Sequence, residues 1–221
     1  MSKLHSASEH VYREVKERIL SADLPGGELI SEGEIATAMG TSRTPVREAF
    51  LRLEAEGWMR LYPKRGALIV PVADGEAEHV ISARRLVEAD AARAAVAVAA
   101  VRSGLVQALR ANLDDQRAAA AAGDVAVFSG LDADFHGLIV RAGGNPLLVA
   151  FYTGLRERQR RMTAHSLARD PLQLSSIIDD HARLADLIEA GDADGYDAAV
   201  HVHMRQVHRL ALPGTTIGGG R

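Results

Sequence analysis

The sequence predicts a mostly α-helical protein in two parts, an N-terminal winged helix-turn-helix and an all-α antiparallel helical bundle, on three observations. Aromatic residues make up only 4% of the 221 residues while alanine-rich stretches recur, a composition that leans toward helix. Up to residue 71, three short amphipathic segments lead into a hairpin pattern. From Asp74 onward only long helical patterns follow, separated by Gly, Asn, Pro and Asp signals. The expected boundaries are residues 1–71, 72–212 and a Gly-rich, frayed tail at 213–221.

In the first part, Val11, Val15, Ile19 and Leu20 share one face of a helix that Leu24, Pro25, Gly26 and Gly27 end. A second helix runs from about Ser31 to Met39, with Ser31 and Glu34 spaced for a capping box and Ile35, Ala36 and Met39 turned inward. Gly40 closes it into a tight turn. Ser42 can cap a third helix in which Pro45 falls in the first turn, where its missing N–H is harmless, and Val46, Ala49, Phe50 and Leu53 form the core stripe. Trp58 to Tyr62, the turn Pro63 to Gly66, and Ala67 to Val70 then read as a β-hairpin with a basic tip. Three helices and a hairpin, with the second and third helices closely joined, describe a winged helix-turn-helix.

The second part is expected as six helices, at about Gly75 to Val101, Ser103 to Ala122, Asp124 to Ala142, Pro146 to Ser166, Pro171 to Ala190 and Asp192 to Leu212. No cysteine is present, so any metal here must be held by histidine and carboxylate. The most apolar stretch, Ala91 to Val101, contains Arg93 and is too short to span a bilayer, and Met1 to His10 lacks the apolar core of a secretory signal. A cytoplasmic protein without a membrane partner is expected.

A formal net charge of −3 argues against sequence-blind nucleic-acid binding. Its distribution matters more, because Thr41 to Gly66 holds Arg43, Arg47, Arg52, Arg60, Lys64 and Arg65 against only Glu48, Glu54 and Glu56, a local excess of +3. On charge alone a solvated helix face would serve as well. Within the third helix, however, Arg43 and Arg47 lie four residues apart and project to one side near the N-terminal end that a recognition helix presents to bases. Arginine suits bidentate contact with guanine. Ser42 and Thr44 can take phosphate or base, and Lys64 and Arg65 on the wing would reach backbone or minor groove.

The run Gly40, Thr41, Ser42, Arg43, Thr44, Pro45, Val46, Arg47, Glu48, Ala49, with Leu53, Glu54, Glu56, Gly57 and later Arg65, Gly66, closely resembles the recognition element of the GntR family of bacterial regulators. The resemblance implies that Arg43, Thr44 and Arg47 contact operator bases and that Gly66 approaches the DNA. Gly33 departs from the pattern, standing where some relatives place a further DNA-contacting arginine.

In the second part, metal-competent side chains occupy faces that should be apolar. Asp132 and His136, four apart, lie beside Phe128, Phe135, Ile139 and Val140; His181 shares a stripe with Ile177, Ile178, Leu184 and Ile188; His203 shares one with Val200, Val207 and Leu210. His201, two residues from His203, is turned roughly 200° away and belongs with Arg205 and His208 on the wet side. Three inward imidazoles and a carboxylate, each costing on the order of 1–3 kcal/mol if buried without a partner, point to a metal site. Imidazole suits Zn, Ni or Fe and the carboxylate keeps Mn in play, with Zn favoured.

Asp132, His136, then Gly144, Asn145, Pro146, Leu147, then His181 and His203 resemble the metal-binding FCD ligand domain of FadR-like GntR regulators, and the likeness then spans about Val11 to Leu210. It implies a divalent metal held by these four residues, beside which a small carboxylate effector binds. The short, six-helix domain looks more like the VanR-type subset. Arg84, four residues before Glu88, reads as an ordinary helical salt bridge or, as the resemblance implies, as the effector clamp, a role that suits a guanidinium. Arg156, Arg158, Arg160 and Arg161 read as a solvated or interface face. The whole implies a homodimer presenting two recognition helices to operator DNA, not an enzyme, with repression relieved by ligand the commoner outcome among relatives. A metal-dependent hydrolase, with Asp134 or Glu157 as base, and a ligand-independent architectural DNA-binding protein are the rival readings.

Overall fold

The computed structural model describes residues 7–170 and 172–208, which form two compact units divided between Ala73 and Asp74. The expected tail at 213–221 and the last residues expected of the final helix, 209–212, lie outside the described residues.

The first unit contains α1 (Ala7–Leu20), β1 (Leu29–Ile30), α2 (Glu32–Ala38), α3 (Arg43–Ala55), β2 (Met59–Tyr62) and β3 (Gly66–Ile69). Val11, Val15 and Ile19 of α1 close over Val46, Ala49, Phe50 and Leu53 of α3, all essentially without solvent contact. The capping box forms as spaced: Ser31 Oγ accepts from Glu34 N at 3.1 Å and Glu34 Oε2 accepts from Ser31 N at 2.9 Å. Gly57, at φ 81°, ends α3 in the left-handed region. Glu54 reaches forward to accept from Leu61 N at 2.8 Å, fixing the first strand of the wing to the helix before it.

One strand was absent from the sequence reading. β1 pairs antiparallel with β3, giving the order β1-β3-β2. That pairing explains Gly66. Its φ is 104°, and a Cβ there would stand 2.3 Å from the Ile30 carbonyl oxygen, so only glycine lets the wing close onto β1.

The second unit is a bundle of α4 (Glu76–Val96), α5 (Ala99–Ala122), α6 (Val125–Ala142), α7 (Pro146–Arg169), α8 (Gln173–Ala190) and α9 (Ala193–Val207). The break between α4 and α5 falls earlier than expected. Val98 takes extended dihedrals (φ −116°, ψ 108°) within an alanine-rich run that has no Gly or Pro to announce it. Other ends follow their signals: Gly123 and Gly191 terminate α5 and α8 in the left-handed region, and Asn145 caps α7 by accepting from Leu147 N and Leu148 N. Ile81, Leu109, Leu113, Phe135, Ile139, Leu184, Tyr196 and Val200 fill the centre. Among the described residues no helix is long and apolar enough to cross a membrane.

Candidate functional site

In the first unit, Ser42, Arg43, Thr44 and Arg47 are exposed along the start of α3, and Lys64 and Arg65 are exposed at the wing tip. Ser42 occupies the N-cap without a side-chain capping bond, which leaves its hydroxyl and the first-turn amides of α3 facing outward. Arg43, Arg47, Lys64 and Arg65 line one groove of about 670 Å³ between helix and wing. Gly33 borders the same groove. A Cβ there would meet Arg43 Nη2 at 3.3 Å, so the bare α2 backbone provides the shelf on which that guanidinium rests. Arg52 belongs elsewhere: it pairs with Glu9 and Glu56 and lies 3.5 Å over the Tyr12 ring.

In the second unit, Asp132, His136, His181 and His203 converge from α6, α8 and α9, all at 3% exposure or less. Each offers a ligand atom within 4.8 Å of the others. His181 Nε2 lies 3.2 Å from His203 Nε2 and 3.5 Å from Asp132 Oδ1. Those separations approach the edge of about 3.3 Å that a tetrahedron with bonds of about 2.0–2.1 Å requires. His201, by contrast, is only partly buried.

The surroundings fix the tautomers. His136 Nδ1 lies 2.7 Å from Glu88 Oε2, His203 Nδ1 lies 3.0 Å from Asp180 Oδ2, and His181 Nδ1 lies 2.9 Å from Gln116 Oε1. Gln116 is itself oriented by donating to Asn112, which donates in turn to the Leu131 carbonyl. Every partner is an acceptor, so each Nδ1 carries the proton and each Nε2 turns a lone pair inward. Burial lowers the pKa of His136 and His181, keeping them neutral, and for His181 the neighbouring imidazoles add to it. Asp132 is held by Gln159 Nε2 at 2.8 Å and Thr163 Oγ1 at 3.2 Å. The buried His136 Nε2 has no hydrogen-bond partner among the described residues. Facing lone pairs around an unpartnered nitrogen are an arrangement that a cation relieves, so the donor set fits a divalent metal.

Arg84 and Glu88 correct an expectation. Their pairing is a buried one, at 2% and 0% side-chain exposure, and not an ordinary surface bridge. Arg84 Nε donates to Glu88 Oε1 at 2.9 Å, and the buried Arg84 Nη2 has no partner among the described residues. Burial raises the pKa of Glu88, but Arg84 and His136 outweigh it and hold the carboxylate at about 2. One further expectation fails. Arg161 is buried, at 8% exposure, whereas Arg156 and Arg158 of the same helix stay partly exposed and pair with Asp134 and Glu76. His208, like His201, is partly buried; burial lowers its pKa, with Arg84 and His203 adding and Asp132 opposing.

Sequence reasoning missed Glu88, Gln116, Asp180, Gln159 and Thr163. Glu88 and Gln116 had a legible signal, since each falls on the inward stripe of its helix.

A winged helix-turn-helix joined to a histidine-centred helical bundle defines a DNA-binding transcription regulator. The chain belongs to the GntR family of bacterial regulatory proteins with an FCD domain: the gntR-family model matches residues 7–69 and the FCD domain model residues 79–206. It is 30% identical over 206 residues to an HTH-type transcriptional regulator in an unstable DNA locus of Streptomyces ambofaciens, covering 89% of this chain and 81% of that one. It is 24% identical over 203 residues to the HTH-type transcriptional repressor RspR of Escherichia coli strain K12, covering 90% and 86%. Among solved structures, E. coli McbR/YncC superposes with a TM-score of 0.74 at 22% identity over 92% of this chain and 95% of that one.

Proposed function

We propose that this regulator is a cytoplasmic, homodimeric repressor whose second unit binds a divalent metal, Zn by preference, and a small carboxylate effector. The observation that carries the reading is the convergence of three Nε2 lone pairs and one carboxylate, each side chain oriented by its own hydrogen bond, with His136 Nε2 unpartnered among the described residues. Asp132, His136, His181 and His203 would hold the metal, which when bound would supply a Lewis acid for an oxygen donor such as an effector carboxylate. Arg84 clamps the effector carboxylate through Nη2, which has no partner among the described residues. The working division is residues 1–71 for DNA and 72–212 for sensing, and the six helices of the latter favour the shorter VanR-type subset.

On the DNA side, Arg43, Thr44 and Arg47 read bases, Ser42 takes a phosphate, and Lys64 and Arg65 follow the backbone from the wing. Gly66 serves first as the residue that allows the wing to close onto β1. Two copies supply two recognition helices to the operator. An effector that binds one arrangement of the dimer better than the other then shifts operator affinity.

Elemental analysis of protein purified without chelator tests the metal half: about one ion per chain is expected, retained by His201→Ala and lost from His203→Ala. Metal content lost from His201→Ala but kept in His203→Ala would refute the assignment. A thermal-shift screen of mono-, di- and tricarboxylates, with and without chelator, tests the effector half, and stabilisation should disappear on chelation.

A further inference from the structure

One of the four metal-competent side chains, His136, and the Arg84 guanidinium lean on the same carboxylate. Glu88 is wholly buried, and its two oxygens serve different neighbours. Oε1 accepts from Arg84 Nε at 2.9 Å and from Tyr152 Oη at 2.5 Å, while Oε2 accepts from His136 Nδ1 at 2.7 Å and from Tyr196 Oη at 3.3 Å. Each of its two charged or metal-competent partners, Arg84 and His136, thus leans one nitrogen on Glu88 and leaves another, Nη2 or Nε2, buried and without a hydrogen-bond partner among the described residues.

We infer that Glu88 is a positioning residue that couples the two ligands, so that occupancy of the metal site and of the Arg84 site strengthen one another through a shared negative charge. This rests on the metal reading above. A carboxylate accepting the Nδ1 proton makes the opposite nitrogen of an imidazole a better metal ligand. The charge that Glu88 offers His136 is limited by what Arg84 and Tyr152 withdraw from its other oxygen. An anion on Arg84 Nη2 satisfies the guanidinium and returns that charge to His136; a cation on His136 Nε2 draws Glu88 toward the imidazole and frees the guanidinium for an anion. Linkage requires the two effects to be equal.

The test uses the full chain and Co²⁺, whose visible absorption reports its ligand geometry. Glu88→Gln should weaken Co²⁺ binding by about 10–100-fold and shift the visible bands. Because that variant strips a buried guanidinium of its partner, Tyr152→Phe serves as the milder change. It removes a competing donor from Oε1, and Co²⁺ should bind several-fold more tightly. A purely structural role for this network predicts weaker binding in both variants, and that result overturns the inference. Repeating the titrations in acetate, the simplest carboxylate, should tighten Co²⁺ in the parent and less so in Glu88→Gln; equal tightening in both also overturns it. If the parent protein binds no Co²⁺, the metal reading falls and this inference with it, whereas unchanged affinity and spectrum in Glu88→Gln remove the inference alone.

Discussion

The two units treat polar side chains in opposite ways. Among the described residues, the twelve buried polar or charged ones all lie in the second unit, from Arg84 to His203, while the first unit encloses only apolar side chains and Tyr12. In the first unit the residues proposed to read DNA are exposed and stand apart from the apolar core. In the bundle, Arg84, Glu88, Asp132 and the three histidines are part of the core, where uncompensated charge is costly. Function is therefore separable from stability in one unit and inseparable from it in the other.

Chelation is the largest expected break in that symmetry. An ion that binds only the folded bundle stabilises it by about 2.7 kcal/mol at a hundredfold excess over Kd. The two units report separately, because the single tryptophan, Trp58, is buried in the first, whereas long helices dominate the far-ultraviolet signal of the second. Chelator should lower the helical melting transition and leave Trp58 fluorescence in place. If both move together, the units are coupled and the contrast fails.

Acid should sharpen the same contrast in metal-free protein. His136 and His181 have folded pKa values lowered by burial, so the unfolded chain takes up protons first as pH falls. Their stabilising contribution is complete above about 6.5 and is lost as pH falls below it toward their lowered folded values. Glu88, held at about 2 against an ordinary 4.5, contributes stability above 4.5 that is lost as pH falls toward 2. Both act in one direction. Urea midpoints followed by circular dichroism at pH 7 and pH 5.5 should fall steeply in chelator, and a flat profile would mean that these imidazoles are not held neutral.

How much of each unit was legible follows from the same difference. The first could be read locally: Val46, Ala49, Phe50 and Leu53 recur at helical spacing, Ser31 and Glu34 form their box, and the residues proposed to read DNA fall in two short runs, Ser42 to Arg47 and Lys64 to Gly66. Its missed strand, Leu29–Ile30, is two residues long and has no period to detect. In the second unit the four metal-competent residues were visible as polar intruders on apolar stripes. Their supports were not, because Gln116 and Asp180 reach His181 and His203 across 65 and 23 residues of chain. Arg84 and Glu88 illustrate the limit, since a spacing of four residues looks alike on the surface of a helix and in its buried face. Arg161 was misassigned for a related reason: its environment comes from other helices.

Gly66→Ala gives the next smaller effect, and it shows that the first unit also has a point where shape and function meet. The new Cβ would strike the Ile30 carbonyl, and φ 104° strains any side chain. A loss of more than about 1 kcal/mol is expected, read as a lower Trp58 transition, together with weaker operator binding because the wing carrying Lys64 and Arg65 is displaced. Full stability with lost binding would instead mean that the glycine matters for direct approach to DNA.

The smallest changes are those that leave the fold untouched. Arg47, exposed on the recognition helix, should on replacement by alanine cost about 1–3 kcal/mol at one operator position and relax the choice of base there. Lys64, exposed at the wing tip, should when replaced by alanine weaken binding to all sequences alike and reduce the slope of log affinity against log salt by about 0.9, the value of one phosphate contact. Neither should shift either melting transition, since neither side chain contributes to the first unit's core. An equal loss on every sequence from Arg47→Ala would move that residue from base reading to phosphate contact, and altered base choice from Lys64→Ala would place the wing in a groove; in both cases the surface would still carry function that the core does not need.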